Sequence, residues 1–497
     1  MNIIDNDLLS IQEARILAER SKEAQQVFAS YTQDRLDVIV EAMALEISKH
    51  AKELAKLSKE ETDYGSWHDK CFKNKFIADF VLKNTKDMKC VGVIGYDKDK
   101  SIVDIGIAMG VIVALCPSTS PVSTTIYKTL ISIKSGNSII FAPHPRAKNV
   151  IIKTLDIMIM AGKSAGLPDD VISYMSTVTK PGTIELINHP AVSMILNTGV
   201  PKLLKEAYKT GKPLIYGSMG NGPAFIERSA DVEKAVWDII KSRTFDYGII
   251  SASEQSVVVD KMIEPKVREA FKKFGAYFMS EEEEERLAKL IYHEDKSLNR
   301  RMIGKPAKFL AQQAKFSVPD DTRLLLSFQK YVSENNPYSR EKLCPVMAYY
   351  VEDDWVDACE KCIELLLSER QGHTLVIHSK DPNVIEQFAL KKPVGRMLVN
   401  TSATYGSMGI TTNLFPAMTL GSGSAGKGIS ADNVSPMNLI YIRKVGYGIK
   451  EVEKVKKECN LDTELEKDVC LNKGSKPIDM PLIKQLFLDI MKDMDNN

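Results

Sequence analysis

Apolar positions fall into three textures along this chain. From about Ile11 to Glu60 they recur every three or four residues among Ala, Leu, Lys and Glu, which predicts helices. From Gly110 the texture changes to short β-branched runs alternating with helical stretches. GVIVALC (110–116), SIIFA (138–142), AVSMIL (191–196) and PLIYG (213–217) read as strands. STTIYKTLISIK (123–134) and a stretch ending at Gly166 read as helices between them. After Phe245 a second series begins, with QSVVVD, VMAYYV, TLVIHS and MLVN as its strands. Near-continuous apolar strands separated by helices imply parallel sheets covered on both faces, an α/β architecture.

Two runs are of a third kind. SIVDIGIAMG (101–110) and MNLIYIRKVGYG (437–448) are two-sided and β-branched, and are expected to pair as an extended arm that makes subunit contacts. Beyond Gly448 a charged stretch leads to DMPLIKQLFLDIMKDM. There Leu482, Ile483, Leu486, Phe487, Ile490 and Met491 share one helical face, with Asp479 as N-cap and Pro481 in the first turn.

At 497 residues the chain is expected to form two or three folding units. Its 44% hydrophobic and 26% charged residues are ordinary for a globular protein. A formal net charge of +1 gives no electrostatic case for a nucleic-acid or anionic-membrane partner. No apolar run reaches the roughly 18–20 residues that span a bilayer. The first residues carry early acids and lack a cationic segment followed by an apolar one, so no secretory signal is read there. Eight scattered cysteines read as reduced thiols of a cytoplasmic enzyme.

Several local signals dissolve on inspection. GSGSAG (421–426) has the G-x-G-x-x-G spacing but lacks the preceding strand and following acidic residue of a dinucleotide fingerprint. Gly162-Lys163-Ser164 ends like a P-loop, but isoleucine stands at 157 where glycine is required. Cys359 and Cys362 lie within a helical stretch with no second ligand pair, and the seven histidines show no ligand spacing, so no metal is expected. SEEEEER (280–286) reads as a capping box from Ser280 to Glu283.

One longer constellation carries chemistry. KSRTFDYGIISASEQSVVVDK (241–261) joins a helix end to a strand. PSTSPVSTTIYKTLISIKSGNSIIFAPHPRAK (117–148), LNTGVPKLLKEAYKTGKPLIYGSMGN (196–221), EKLCPVMAYY (341–350) and TLGSGSAGKGIS (419–430) stand around it. In that order they resemble the segments of CoA-acylating aldehyde dehydrogenases over residues of about 10 to 450. The family's nucleophile segment reads approximately F-D-N-G-x-x-C-A-S-E-Q-S-V, and Ser251 stands at its cysteine. The resemblance extends to the N-terminal half of bifunctional aldehyde–alcohol dehydrogenases and to acylating succinate-semialdehyde and sulfoacetaldehyde dehydrogenases.

The resemblance implies the aldehyde dehydrogenase fold. A nucleotide-binding domain would cover 1–98 and 112–245, and a catalytic domain 246–432. An oligomerisation arm would take 99–111 and 436–446, and a tether with tail helix 447–497. It implies NAD and coenzyme A, a thiohemiacetal on the cysteine, hydride transfer, and passage of the acyl group to CoA. Ser120 stands where the family often has the asparagine that holds the oxyanion. Glu341 matches the glutamate on the nicotinamide ribose. Thr198 and Gly199 match the T-G-G turn, with Val200 replacing its second glycine, and Pro143, His144 and Arg146 match the segment lining the adenosine end. Around Gly217 the stretch GSMGN replaces the glutamate-bearing E-L-G-G-K of hydrolytic relatives, which removes the base that would activate water and points to CoA as acceptor. Ser422 replaces a second, non-nucleophilic cysteine.

Three origins fit Ser251: an inactivating change by design, a silent paralogue that binds cofactor or serves as a compartment scaffold, or a serine enzyme in its own right. The aldehyde is short. An anionic one would need a cationic pocket group, for which Arg243 and Arg396 are the candidates. Expected partners are an aldehyde or acyl-CoA and further copies of this chain in a homodimer or homotetramer. The expected tail helix resembles peptides that recruit enzymes to bacterial microcompartment shells; the alternative is a helix packed on its own or a neighbouring subunit.

Overall fold

The computed structural model describes residues 5–369 and 372–459, and the predicted tail helix lies outside them. The amino-terminal periodicity resolves into the helices Asn6–Phe28, Gln33–Lys49 and Ala51–Thr62, followed by Trp67–Thr85. Asp5 opens the first by accepting from the amides of Asp7 and Leu8. The second buries Leu36, Ile39, Val40, Met43, Ala44 and Ile47 on one face, the spacing that made it legible.

Strands β1 (Gly92–Asp97) and β2 (Ile102–Ala108) lead to the first α/β sheet. That sheet holds β3 (Val111–Leu115), β4 (Ser138–Ala142), β5 (Ile172–Tyr174), β6 (Val192–Thr198) and β7 (Leu214–Gly217). All its pairings are parallel, in the order β5-β4-β3-β6-β7. Ile112 and Ala114 of β3 enter one core while Val111, Val113 and Leu115 enter the other, so both faces are covered.

Chain order runs outward from β3 to β5 and then returns to the other side of β3 through β6. The sheet therefore has its switch point between β3 and β6, where the carboxyl ends of parallel strands leave a crevice. Lys128, on the helix Pro121–Lys134, is buried there and donates to the carbonyls of Leu115 at 2.6 Å and Leu196 at 2.8 Å. Its ammonium ties the ends of the two strands whose loops form the crevice wall.

The second sheet contains β8 (Pro223–Ile226), β9 (Ser256–Asp260), β10 (Ala276–Phe278), β11 (Leu324–Phe328), β12 (Val346–Glu352), β13 (Thr374–His378) and β14 (Arg396–Val399). It is parallel throughout, in the order β10-β11-β12-β9-β8-β13-β14. The chain changes sheets between Gly217 and Pro223, ahead of the helix Val232–Thr244. Alternate residues again face two cores: Val258 enters one, Val257 and Val259 the other.

The last strand, β15 (Ile440–Gly446), joins β1 and β2 in a three-stranded sheet of order β1-β2-β15. The two two-sided runs therefore pair, with β1 as an unforeseen third member. Among the described residues, 97–102 and 445–459 belong to a small second unit. Within it the Tyr447 amide donates to the Ser101 carbonyl at 3.1 Å, and Val452–Glu458 is helical.

The capping box forms as read: Ser280 accepts from the Glu283 amide, and the Glu283 side chain reaches back to Ser280. Cys359 and Cys362 are buried free thiols within the helix Trp355–Glu369. Among the described residues no helix is long and apolar enough to cross a membrane, and no group of metal-ligating side chains is assembled.

Candidate active site

The segment 241–261 is bent by an unusual turn. Past Thr244, Asp246 (φ 50°), Tyr247 (φ 52°) and Gly248 (φ 73°) are all left-handed, so the chain reverses before reaching Ser251 and β9. For tyrosine that conformation is strained. Buried polar groups hold it. Asp246 accepts from Lys73 Nζ at 2.6 Å, Lys70 Nζ at 3.2 Å and the Ser66 amide at 2.8 Å, while its own amide donates to Asp69 at 2.8 Å. Burial opposes its charge, but the two lysines keep its carboxyl below the usual range. On the far side of Ser251, Arg243 donates to Ser253 at 2.7 Å, Gln255 at 2.9 Å and the Val346 carbonyl at 3.2 Å.

This support presents Ser251 to a cavity of about 270 Å³ at the switch point. Ser120, His144, Arg146, Thr198, Gly199, Gly217 and Glu341 line the same cavity, so seven of the residues matched to the family's segments converge on Ser251. Pro143 is buried at the end of β4 and lies behind this wall.

Backbone geometry explains two glycines. Gly199 is left-handed (φ 64°), and its amide donates to the Gly217 carbonyl at 2.9 Å. Val200 has φ −117°, open to any residue, so replacing the second glycine of the turn costs nothing here. Gly220 passes so close to Ser251 that a Cβ would lie 1.8 Å from its carbonyl oxygen.

Among the described residues, Glu341 is the one acidic side chain lining the cavity. Its Oε1 accepts from the Gly220 amide at 2.9 Å, and among the described residues its buried Oε2 has no hydrogen-bond partner. Burial raises its pKa to about 8; the Gly220 amide, the Ser251 hydroxyl and Arg243 offset part of that rise, and Glu369 adds to it. Ser120 sits at the start of the helix Pro121–Lys134 and accepts from Lys73 Nζ at 2.7 Å. Thr198 shares a 2.7 Å hydrogen bond with Thr419, and Ser422 one of 2.6 Å with Ser218.

At the other end, His144 is driven down to about 4 by burial and by Arg300, Arg146 and Lys202, so it is neutral at physiological pH. Arg146 donates to the Tyr64 hydroxyl at 2.8 Å and lies over its ring at 5.3 Å. Arg300 and His373 also line the cavity, and neither stands out in the sequence. Arg300 belongs to an Arg-Arg pair without motif, and His373 to a bare G-H-T. Burial and Arg396 hold His373 well below the ordinary histidine range.

The expectation that Arg243 or Arg396 would receive an anionic substrate is overturned. Arg243 is fully buried on the nucleophile segment, and Arg396 donates to the carbonyls of His373, Gly421 and Ala431. Neither lines the cavity: Arg243 is turned to Ser253, Gln255 and the Val346 carbonyl, and Arg396 to backbone carbonyls.

Residues 6–286 match the model of the aldehyde dehydrogenase family. The chain is 37% identical over 474 residues to the bifunctional aldehyde-alcohol dehydrogenase AdhE of Escherichia coli, covering 94% of this chain and 52% of that protein. It thus spans about half the length of that relative. To the succinate-semialdehyde dehydrogenase (acetylating) of Clostridium kluyveri it is 32% identical, covering 90% of this chain and 97% of the other. Among solved structures it is similar to an acetylating aldehyde dehydrogenase from Geobacillus thermoglucosidasius, at 40% identity and a TM-score of 0.88, over 90% of this chain and 99% of that one.

Proposed function

Because the chain belongs to the aldehyde dehydrogenase family and has its fold, we propose that it is built as a nicotinamide-dependent, CoA-acylating aldehyde dehydrogenase with Ser251 at the nucleophile position. The observation that carries this reading is the convergence of Ser251, Ser120, Glu341 and the 198–199 turn on one crevice at the sheet's switch point.

The residues suit a dinucleotide. Glu341 lines the cavity and its buried Oε2 has hydrogen-bonding capacity unspent among the described residues, which suits a ribose hydroxyl. The left-handed Gly199 lets backbone approach a pyrophosphate closely, and His144, Arg146 and Arg300 gather at the end assigned to the adenosine. When bound, the dinucleotide supplies the hydride acceptor. Ser120 holds the carbonyl oxygen, and Thr198 and Gly199 orient the partner of that transfer. Engaged by the Gly220 amide and by a ribose, Glu341 is not free to activate water, and among the described residues no second acidic side chain lines the cavity. CoA is therefore the acyl acceptor in this reading. Met219, Ile250, Ala252 and Met408 make an apolar wall, which favours a short uncharged aldehyde of the acetaldehyde or propionaldehyde class.

Ser251 favours a second reading of this chain as it stands. An alcohol ionises far less readily than a thiol of pKa about 8.5 and needs an adjacent base. Glu341 is protonated below about 8. On this reading the protein binds its ligands and is catalytically silent, as a scaffold paralogue would be. The serine form assayed beside the Ser251→Cys protein tests the second reading, which turnover by the serine form would reject, and product analysis of the Ser251→Cys protein tests the first. Acyl-CoA formed only when CoA is present supports the acylating reading; free acid formed without CoA rejects it.

The same proposal divides the chain into nucleotide-binding, catalytic and arm regions and takes the arm as a contact between copies in a homodimer or homotetramer. Val93, Tyr441 and Ile442 leave apolar surface on its strands. We also place the protein in the cytoplasm, within a bacterial microcompartment, through the tail helix. Deleting residues 475–497 should abolish shell association and leave the fold intact.

A further inference from the structure

Ser120 has a backing that the catalytic reading leaves unused. Its Oγ accepts from Lys73 Nζ at 2.7 Å, and the same ammonium lies 2.6 Å from Asp246 Oδ2. Both Lys73 and Ser120 are more than nine-tenths buried. A serine hydroxyl has one proton to donate. With Lys73 donating to the oxygen, that proton must point elsewhere, and among the described residues it is donated to no protein acceptor. Ser120 lines the cavity beside Ser251, so the cavity is where the proton is left to point.

We propose that Lys73 is the positioning residue of the oxyanion site: by donating to Ser120 Oγ it turns the hydroxyl proton into the cavity and strengthens it as a donor. This rests on the assignment of Ser120 above. A donor whose own oxygen accepts a charge-assisted bond is polarised and becomes stronger. Two ammoniums share one carboxylate, since Lys70 lies 3.2 Å from the same Asp246 oxygen. Asp69 accepts from the Asp246 amide at 2.8 Å and adds a second carboxylate to the cluster, so the charge that acts on Ser120 is the ammonium in direct contact with its Oγ, which favours negative charge on an oxygen in front of it. Lys70 is also anchored on the Thr119 carbonyl at 2.9 Å, so Asp246 keeps a cation if Lys73 is removed.

The test is acylation of the Ser251→Cys protein by 4-nitrophenyl acetate, read as nitrophenolate release, which requires the thiol and the oxyanion donors but neither dinucleotide nor CoA. Lys73→Met and Ser120→Ala are each expected to slow acylation about 100-fold, as loss of one oxyanion donor does. Combined, they should be no slower than Ser120→Ala alone, and Lys73→Arg should retain most of the rate. With Ser120→Asn, whose amide donates without help, Lys73→Met should cost less than about threefold on the same scale. Unfolding midpoints of each variant verify the fold.

The inference is overturned if Lys73→Met leaves the rate within about threefold, or slows it equally with Ser120→Asn present, which marks a purely structural lysine. Absence of any acylation of the Ser251→Cys protein overturns it too. Normal acylation without NADH formation from aldehydes sinks the dehydrogenase reading instead and leaves Lys73 in its role.

Discussion

Two groups of cations serve the cavity, and they are built in opposite ways. Beneath Ser251, Lys70, Lys73 and Arg243 are fully buried, and each is spent on a carboxylate, a hydroxyl or a carbonyl. Around His144, the Arg146 and Arg300 guanidiniums lie at the cavity lining with Lys202 nearby. The first group fixes structure: Lys70 and Lys73 hold the left-handed turn at Asp246 ahead of Ser251, and Arg243 ties Ser253 and Gln255 beyond it. The second leaves positive charge facing the cavity, where an anionic ligand can take it up. Charge that positions is buried and paired; charge that recognises stays near solvent.

The contrast is sharpest for Asp246. Asp246→Ala leaves two buried ammoniums without their shared counter-ion, and should destabilise the protein by about 3–5 kcal/mol in urea unfolding. Arg146→Ala should change stability by less than about 0.5 kcal/mol. A comparable loss from both would erase the distinction.

Glu341 tests the same idea through pH. Its pKa is raised by burial from the ordinary carboxylate value to about 8, so the folded protein holds a proton that the unfolded chain releases. Stability from this group is therefore full at acidic pH and falls as pH rises from about 4.5 through 8. Glu341→Gln should remove that decline, giving a gain of about 1 kcal/mol or more at pH 9, seen as a flatter profile of thermal midpoint against pH. The same substitution should weaken dinucleotide binding.

Smaller effects separate recognition from support further. Arg146→Ala should weaken binding of a phosphorylated adenine ligand by about tenfold or less, with the deficit shrinking in high salt, by titration calorimetry. Tyr247→Asn should stabilise by about 1 kcal/mol, because asparagine tolerates the left-handed region better than tyrosine.

Much of this was legible in the chain itself. Runs such as SIIFA and GVIVALC could only be strands buried on both faces, and Ser138–Ala142 and Val111–Leu115 are fully buried. Strand β1 escaped notice because its two glycines and flanking charges break the apolar pattern, and β8 because it is four residues long and begins with proline. The constellation of Ser251, Ser120 and Glu341 was visible because motif order survives in sequence. Lys73 was not, because it reads as one polar position on the helix Trp67–Thr85 while its partner Asp246 lies 173 residues away. Arg243 and Arg396 were misplaced for the related reason that residue type does not say which way a guanidinium turns.

On the proposed reading, a thiol at position 251 is what the site around Ser251 lacks. Spectrophotometric NADH formation by the Ser251→Cys protein with acetaldehyde or propionaldehyde, NAD and CoA tests it most directly. We expect CoA-dependent turnover in that protein and background rates in the serine form. Equal silence of both across short aldehydes, with dinucleotide binding intact, would contradict the account.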